Sequence, residues 1–228
     1  MANRTRQHAA PAQVRVGIEA LMSEALLISR RERKKLTTKA QLLDAARRLF
    51  AEKTVAKTTI DEITEAADVS RATFFNYFQS KNAILQELWV EQISSFSASV
   101  DRHIGIKVST FERLRNMFRE FVREALKQPD YFKAVTAELE LDWSTPEVSK
   151  VRVDRFHDAL ERLVATGISQ GDIGTDHKIR FIAQMIGAVY ISILREWRLD
   201  PDYDLSARFD EAARFLANAI RPTGSKAL

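Results

Sequence analysis

The chain contains no cysteine, which excludes disulfides, thiolate zinc sites and cysteine nucleophiles and favours an intracellular setting. Seven glycines and five prolines make up about 5% of the residues, against about 12% in average proteins. So few turn formers point to long helices and away from an all-β fold. Histidine is also sparse: four are scattered along 228 residues. With no glycine-rich phosphate loop and no cluster of acids and bases, nothing favours an enzyme, and no cofactor or metal is expected. His157 and Glu161 share a helix face, a weak metal signal better read as solvated polarity. Long apolar runs are missing too. The longest, Ile182 to Leu194, is interrupted by Gln184 and Ser192 and falls short of the ~20 residues of a membrane span. The first thirty residues carry Arg15, Glu19 and Glu24 and form no signal core, so a cytoplasmic protein with no membrane partner is expected.

What is present is a globular composition, 45% apolar and 29% charged, with a net charge of +4. The charge is unevenly placed. Residues 1–81 hold 15 Lys and Arg against 9 Asp and Glu, whereas residues 82–228 hold 20 against 22. A basic first part meets a polyanion and a slightly acidic remainder has another task. Residues 1–13 have no periodicity and read as disordered. Residues 14–29 recover some helical spacing through Ile18, Leu21, Met22, Ala25 and Leu26. A frayed leader helix, a true start at Met22 and a functional arm all stay open there. Arg30, Arg31, Arg33, Lys34 and Lys35, broken by Glu32, form either a solvated face or a phosphate-seeking arm. Residues 1–35 are accordingly expected to be a basic, flexible extension.

Thr38-Lys39-Ala40-Gln41 has the form of a capping box, and Leu42, Leu43, Ala46, Leu49 and Phe50 follow at helical spacing to Lys53. Thr59-Ile60-Asp61-Glu62 repeats the signature for a short helix ending near Ala67, Ser70 caps a helix from Arg71 to Phe78, and Ser80 caps one starting at Lys81. Further helices are predicted from Ser109 with Glu112, from Pro129, and from Pro146 with Thr145 as cap. Gly171 and Gly174 mark a turn. Two long helices, about 175–198 and 204–220, close an all-α fold of about nine helices.

Two short helices joined by a tight turn inside a basic segment are the sequence form of a helix-turn-helix. On a helical wheel Phe74 and Phe78 face the domain with Val69, which turns Ala72, Thr73, Asn76 and Gln79 outward. That outward set is small or hydrogen-bonding and suits close approach to base edges. Arg71 reaches a phosphate or a guanine from the first turn. Thr59, Ser70 and Lys81 stand at helix starts, where free N–H groups favour phosphate, although each is also explained as a cap.

Thr58 to Ile63, Ala66 to Phe78 and Ser80-Lys81 resemble the DNA-binding signature of the tetracycline-repressor (TetR) family of bacterial transcriptional regulators. The resemblance covers roughly residues 36–88. It implies DNA contact by Thr59, Ser70, Arg71, Thr73, Asn76, Tyr77 and Lys81, and a homodimer on a palindromic double-stranded operator. It further implies a repressor released by a small, largely apolar effector. Three positions depart from the family pattern. Asp68 stands where a turn glycine is common, Ala72 replaces a frequent glycine, and Phe75 replaces a frequent tyrosine and so lacks one hydroxyl for phosphate. Aspartate tolerates a left-handed backbone, so the turn is expected to survive.

The expected division is a DNA-binding domain at 36–81 and a ligand-binding and dimerisation domain at 82–228. Aromatic residues crowd the second part, among them Trp89, Phe96, Phe118, Phe121, Phe132, Trp143, Phe156 and Tyr190. Most are core, and no effector-lining set can be read from them. His103, His157 and Arg195 are the polar candidates beside them, each better explained as surface or satisfied core. The last two helices, within about 175–220, carry apolar faces wide enough to join two copies, as a twofold DNA reader requires. An architectural DNA binder without an effector is the alternative reading.

Overall fold

The computed structural model describes the backbone of residues 29–141 and 146–224 and the side chains of 29–138 and 150–224. Residues 1–28 of the expected extension, Trp143 and the Thr145 cap lie outside the described residues. Nine helices and no strand occupy the described part. They are α1 (Arg30–Lys57), α2 (Ile60–Ala66), α3 (Arg71–Phe75), α4 (Lys81–Ile104), α5 (Thr110–Ala125), α6 (Pro129–Leu141), α7 (Pro146–Ser169), α8 (Ile179–Leu199) and α9 (Leu205–Ala219). The all-α expectation holds, and no described helix is long and apolar enough to cross a membrane.

The first helix starts eight residues earlier than its expected cap at Thr38, so residues 30–35 are helical rather than flexible. An earlier capping box explains this. The Ser29 hydroxyl accepts from the Glu32 N–H at 3.1 Å, and the Glu32 carboxylate accepts from the Ser29 N–H at 2.9 Å. The Arg, Glu, Lys and Leu residues that follow are good helix formers, which leaves Thr38 in the middle of a continuous helix. The regular backbone breaks at Thr54 (φ 75°, ψ 158°), just past the expected end at Lys53. A β-branched residue at positive φ costs about 1–3 kcal/mol, and here it returns Val55 to the core.

Two hydrophobic cores result. The first joins α1, through Leu42, Ala46 and Phe50, to Ile63 of α2 and to Phe74 and Phe78. It does not stop at residue 81. Ile84, Leu85, Leu88 and Trp89 of α4 belong to it, and so do Tyr131 and Val135 of α6. The Trp89 Nε1–H donates to the Val135 carbonyl at 3.3 Å, binding the two helices. Phe132, the next residue on α6, packs against both cores.

The second core is built by α5, α7, α8, α9 and the far end of α4. At its centre Tyr190 is ringed by Phe96, Phe118, Phe121, Phe156 and Phe209 at centroid distances of 5.0–6.3 Å. Such offset and edge contacts add to area burial, and burial drives the Tyr190 hydroxyl pKa well above its ordinary value. The loop between α4 and α5 is held from inside by Arg113, whose side chain is fully buried. Its guanidinium donates to the carbonyls of His103, Ile106 and Val108 at 3.1 Å each and to the Gln170 side chain at 3.0 Å. Gly171, at φ 78°, makes the turn expected after α7.

Candidate nucleic-acid interface

The segment from Thr59 to Lys81 forms the expected helix-turn-helix. At the start of α2 the Thr59 Oγ1 accepts from the Glu62 N–H at 3.3 Å, and Glu62 accepts from the Thr59 N–H at 2.8 Å. An ion pair with Lys53 and these Thr59 hydrogen bonds hold the Glu62 carboxyl at about 2. The turn passes through Asp68 at φ 53°, the left-handed conformation implied by the turn glycine common at this position in the resembled family. Ser70 then caps α3, accepting from the Thr73 N–H at 3.1 Å.

The second helix is shorter than the Arg71 to Phe78 expected: α3 ends at Phe75, with Asn76 as its C-cap. Tyr77 and Phe78 both donate to the Phe74 carbonyl at 2.9 Å, so the chain tightens into a turn. Phe78 still falls beneath Phe74, 5.9 Å between centroids, and the two rings are 4% and 0% exposed. The wheel assignment holds for Ala72, Asn76 and Gln79, which are exposed, whereas Thr73 is half-buried with its hydroxyl 2.9 Å from Ser70 Oγ.

The remaining candidates divide. Arg71 is exposed, yet it pairs with Asp61 at 2.5 Å and lies 5.7 Å over the Phe75 ring. Phe75 is itself 46% exposed on the same surface. Tyr77 is half-buried against the first core. Lys81 departs most from a free phosphate ligand. Its Nζ donates to the carbonyls of Val55, Thr58 and Ala56 at 2.6, 2.8 and 3.3 Å and so closes the end of α1. Lys81→Ala is therefore expected to lower stability by about 1–3 kcal/mol as well as to weaken DNA binding. Thermal unfolding of the variant without DNA measures the first effect.

In the second unit the three polar candidates are engaged or set aside. His103 Nδ1 lies 2.8 Å from the Ser99 carbonyl, and Arg195 has partners of its own. Burial, reinforced by the Arg180 guanidinium, holds His157 below its usual pKa. Glu161, on the same helix face, accepts from Arg180 at 2.8 Å. Sequence reasoning missed Arg113, for which a basic residue on an apolar helix face is the signal, and it read Phe132 only as core of the second part, although Phe132 and Tyr131 also complete the first core.

A two-helix reader with a small, polar outer face defines a DNA-binding transcriptional regulator. The family profile of bacterial regulatory proteins of the tetR family matches residues 42–88. Residues 42–88 are thus a DNA-binding domain of this family. The chain is 26% identical over 184 residues to the fatty acid metabolism regulator protein of Bacillus subtilis, covering 79% of this chain and 94% of the relative. It is 26% identical over 200 residues to the transcriptional repressor KstR of Mycobacterium tuberculosis, covering 86% and 87%. Among solved structures, the regulator FadR of Bacillus subtilis in complex with stearoyl-CoA superposes with a TM-score of 0.69 at 22% identity, covering 80% of this chain and 99% of that one.

Proposed function

We propose that the protein is a homodimeric repressor that holds a palindromic operator through α3 and releases it when a small, largely apolar effector enters the second core. The observation that carries this reading is the two-sided segment after Ser70, with Phe74 and Phe78 sealed and Ala72, Asn76 and Gln79 bare. Thr73 and Asn76 read base edges, and Ala72 meets a thymine methyl. Thr59, Ser70, Tyr77 and Arg71 position the phosphates, Arg71 by exchanging Asp61 for DNA. Lys81 acts mainly by fixing the end of α1 beside them. Residues 36–81 carry the reader, and 82–228 carry effector binding and dimerisation.

Apolar side chains left exposed on the last two helices support the dimer. Phe181, Met185 and Leu199 of α8 are 46%, 42% and 62% exposed, and Phe215 of α9 is 62% exposed. Large rings at that exposure on facing helices suit a symmetric contact.

The effector class follows from the Tyr190 cluster and from the relative that holds stearoyl-CoA. An acyl chain entering there parts Phe96 of α4 and Phe121 of α5 from Tyr190, and α4 leads directly back to the reader. The test is a footprint and anisotropy titration on DNA flanking the gene for this protein. A dimer protecting a palindrome, with affinity falling steeply in salt, is expected. Stearoyl-CoA should raise the melting temperature while lowering operator affinity. Binding without sequence preference, or an operator complex indifferent to every acyl-CoA tried, overturns the corresponding part. Asn76→Ala should keep the fold and reduce discrimination against mismatched operators by about 1–3 kcal/mol per altered base pair.

A further inference from the structure

The five cations before Lys39 are arranged by the structure in a way the helix-turn-helix does not use. Arg30, Arg31, Arg33, Lys34 and Lys35 sit on the first two turns of α1, and every residue from 29 to 37 is exposed. None of the five forms an ion pair with a described residue. The single acid among them, Glu32, is committed to the Ser29 N–H. Arg30, Arg33, Lys34 and Thr37 fall at i, i+3, i+4 and i+7, on the stripe opposite the core-facing Leu42, Ala46 and Phe50.

The position of this prow follows from how α1 crosses α4. Lys81, the first residue of α4, donates to carbonyls at the end of α1, whereas Lys39 pairs with Glu87 at 2.6 Å. The six residues from Lys81 to Glu87 rise only about 9 Å, while the sixteen from Lys39 to Val55 span about 24 Å. Helix α1 therefore crosses α4 within its first three turns, with Arg47 reaching Glu91, at the end that directly follows the reader. Its N-terminal turns extend sideways from that level, about 13 Å past Lys39. Over such a length the two strands of B-DNA present about eight phosphates.

We propose that the helical prow Arg30–Lys35 is a second DNA contact, which grips the phosphate backbone flanking the operator half-site and sets affinity without reading sequence. The inference rests on the operator-binding reading above. A preformed helix keeps the cations ordered before binding, so less conformational entropy is lost than with a flexible arm of the same charge.

The test uses the full chain and the variant with Arg30→Gln, Arg33→Gln and Lys34→Gln, since glutamine removes charge while preserving helix propensity. Binding is measured against salt on a minimal operator and on one extended by ten base pairs on each side. The wild type should bind the extended duplex at least tenfold more tightly. The variant should lose that gain, and its slope of log K against log salt should shrink by about three per protomer. Unchanged melting temperature and unchanged affinity for the minimal duplex would locate the loss in the flanks. Equal binding of both duplexes by the wild type, or an unaltered slope in the variant, overturns the prow contact and leaves operator recognition standing. If the wild type binds neither duplex, both readings fall.

Discussion

Phe74→Ala is expected to destabilise the protein by about 3–5 kcal/mol and to abolish operator binding at temperatures where the wild type is folded. The ring is fully buried in the first core and contacts Phe78 and Phe75 at centroid distances of 5.9 and 5.4 Å. Only five residues form α3, too few to be helical by themselves, so packing of this ring holds the reading surface in place. Melting followed by circular dichroism should show Tm lowered by roughly 10 °C, and anisotropy should show no specific complex. Phe75→Ala is the control. That ring is 46% exposed, so its removal should leave Tm within a few degrees of the wild type. A Phe74→Ala variant that melts like the wild type would show that the segment is anchored by something else.

Arg113→Met should cost about as much, roughly 3–5 kcal/mol, although the side chain lies outside the helix-turn-helix. Three backbone carbonyls, of His103, Ile106 and Val108, each accept a hydrogen bond from this guanidinium. Methionine fills much of the space but makes none of these hydrogen bonds; the His103 and Ile106 carbonyls keep only the N–H groups of Ile106 and Val108, and the Val108 carbonyl and the Gln170 side chain lose their guanidinium donor. Arg113→Lys should rescue little, because one ammonium cannot fork toward four acceptors on different segments. Chemical denaturation gives the stability change. Hydrogen exchange should localise the loosening to 104–109 and the turn at 170–172. A lysine variant as stable as the wild type would show that charge alone is needed there.

Local chemistry made much of this legible beforehand. The caps at Thr59, Ser70, Ser80 and Ser109 lie where spacing placed them, because a cap is decided by a residue and its neighbours three positions on, and Asp68 is left-handed where the family resemblance implies a turn glycine. The alternation of Phe74 and Phe78 against Ala72 and Asn76 was readable for the same reason. Choices settled between distant segments were not. Ser29 and Thr38 both carry cap signatures, and the charged run between them shows no apolar periodicity by which to choose. Lys81 stands at a helix start in sequence, and only the fold reveals the carbonyls of residues 55–58 above its Nζ. The apolar face of α6 announces burial but does not name its partner, so the boundary drawn at residue 81 cut through a core that α6 completes.

That shared core limits how the two halves can be recombined. Tyr131 and Val135 fill the base of the reader, and Phe132 leans on both units, so a fragment ending near residue 81 exposes the socket they occupy. A chimera that transplants the reader onto another regulator's sensing bundle would have to carry the 129–135 stretch with it, or redesign the surface where it seats.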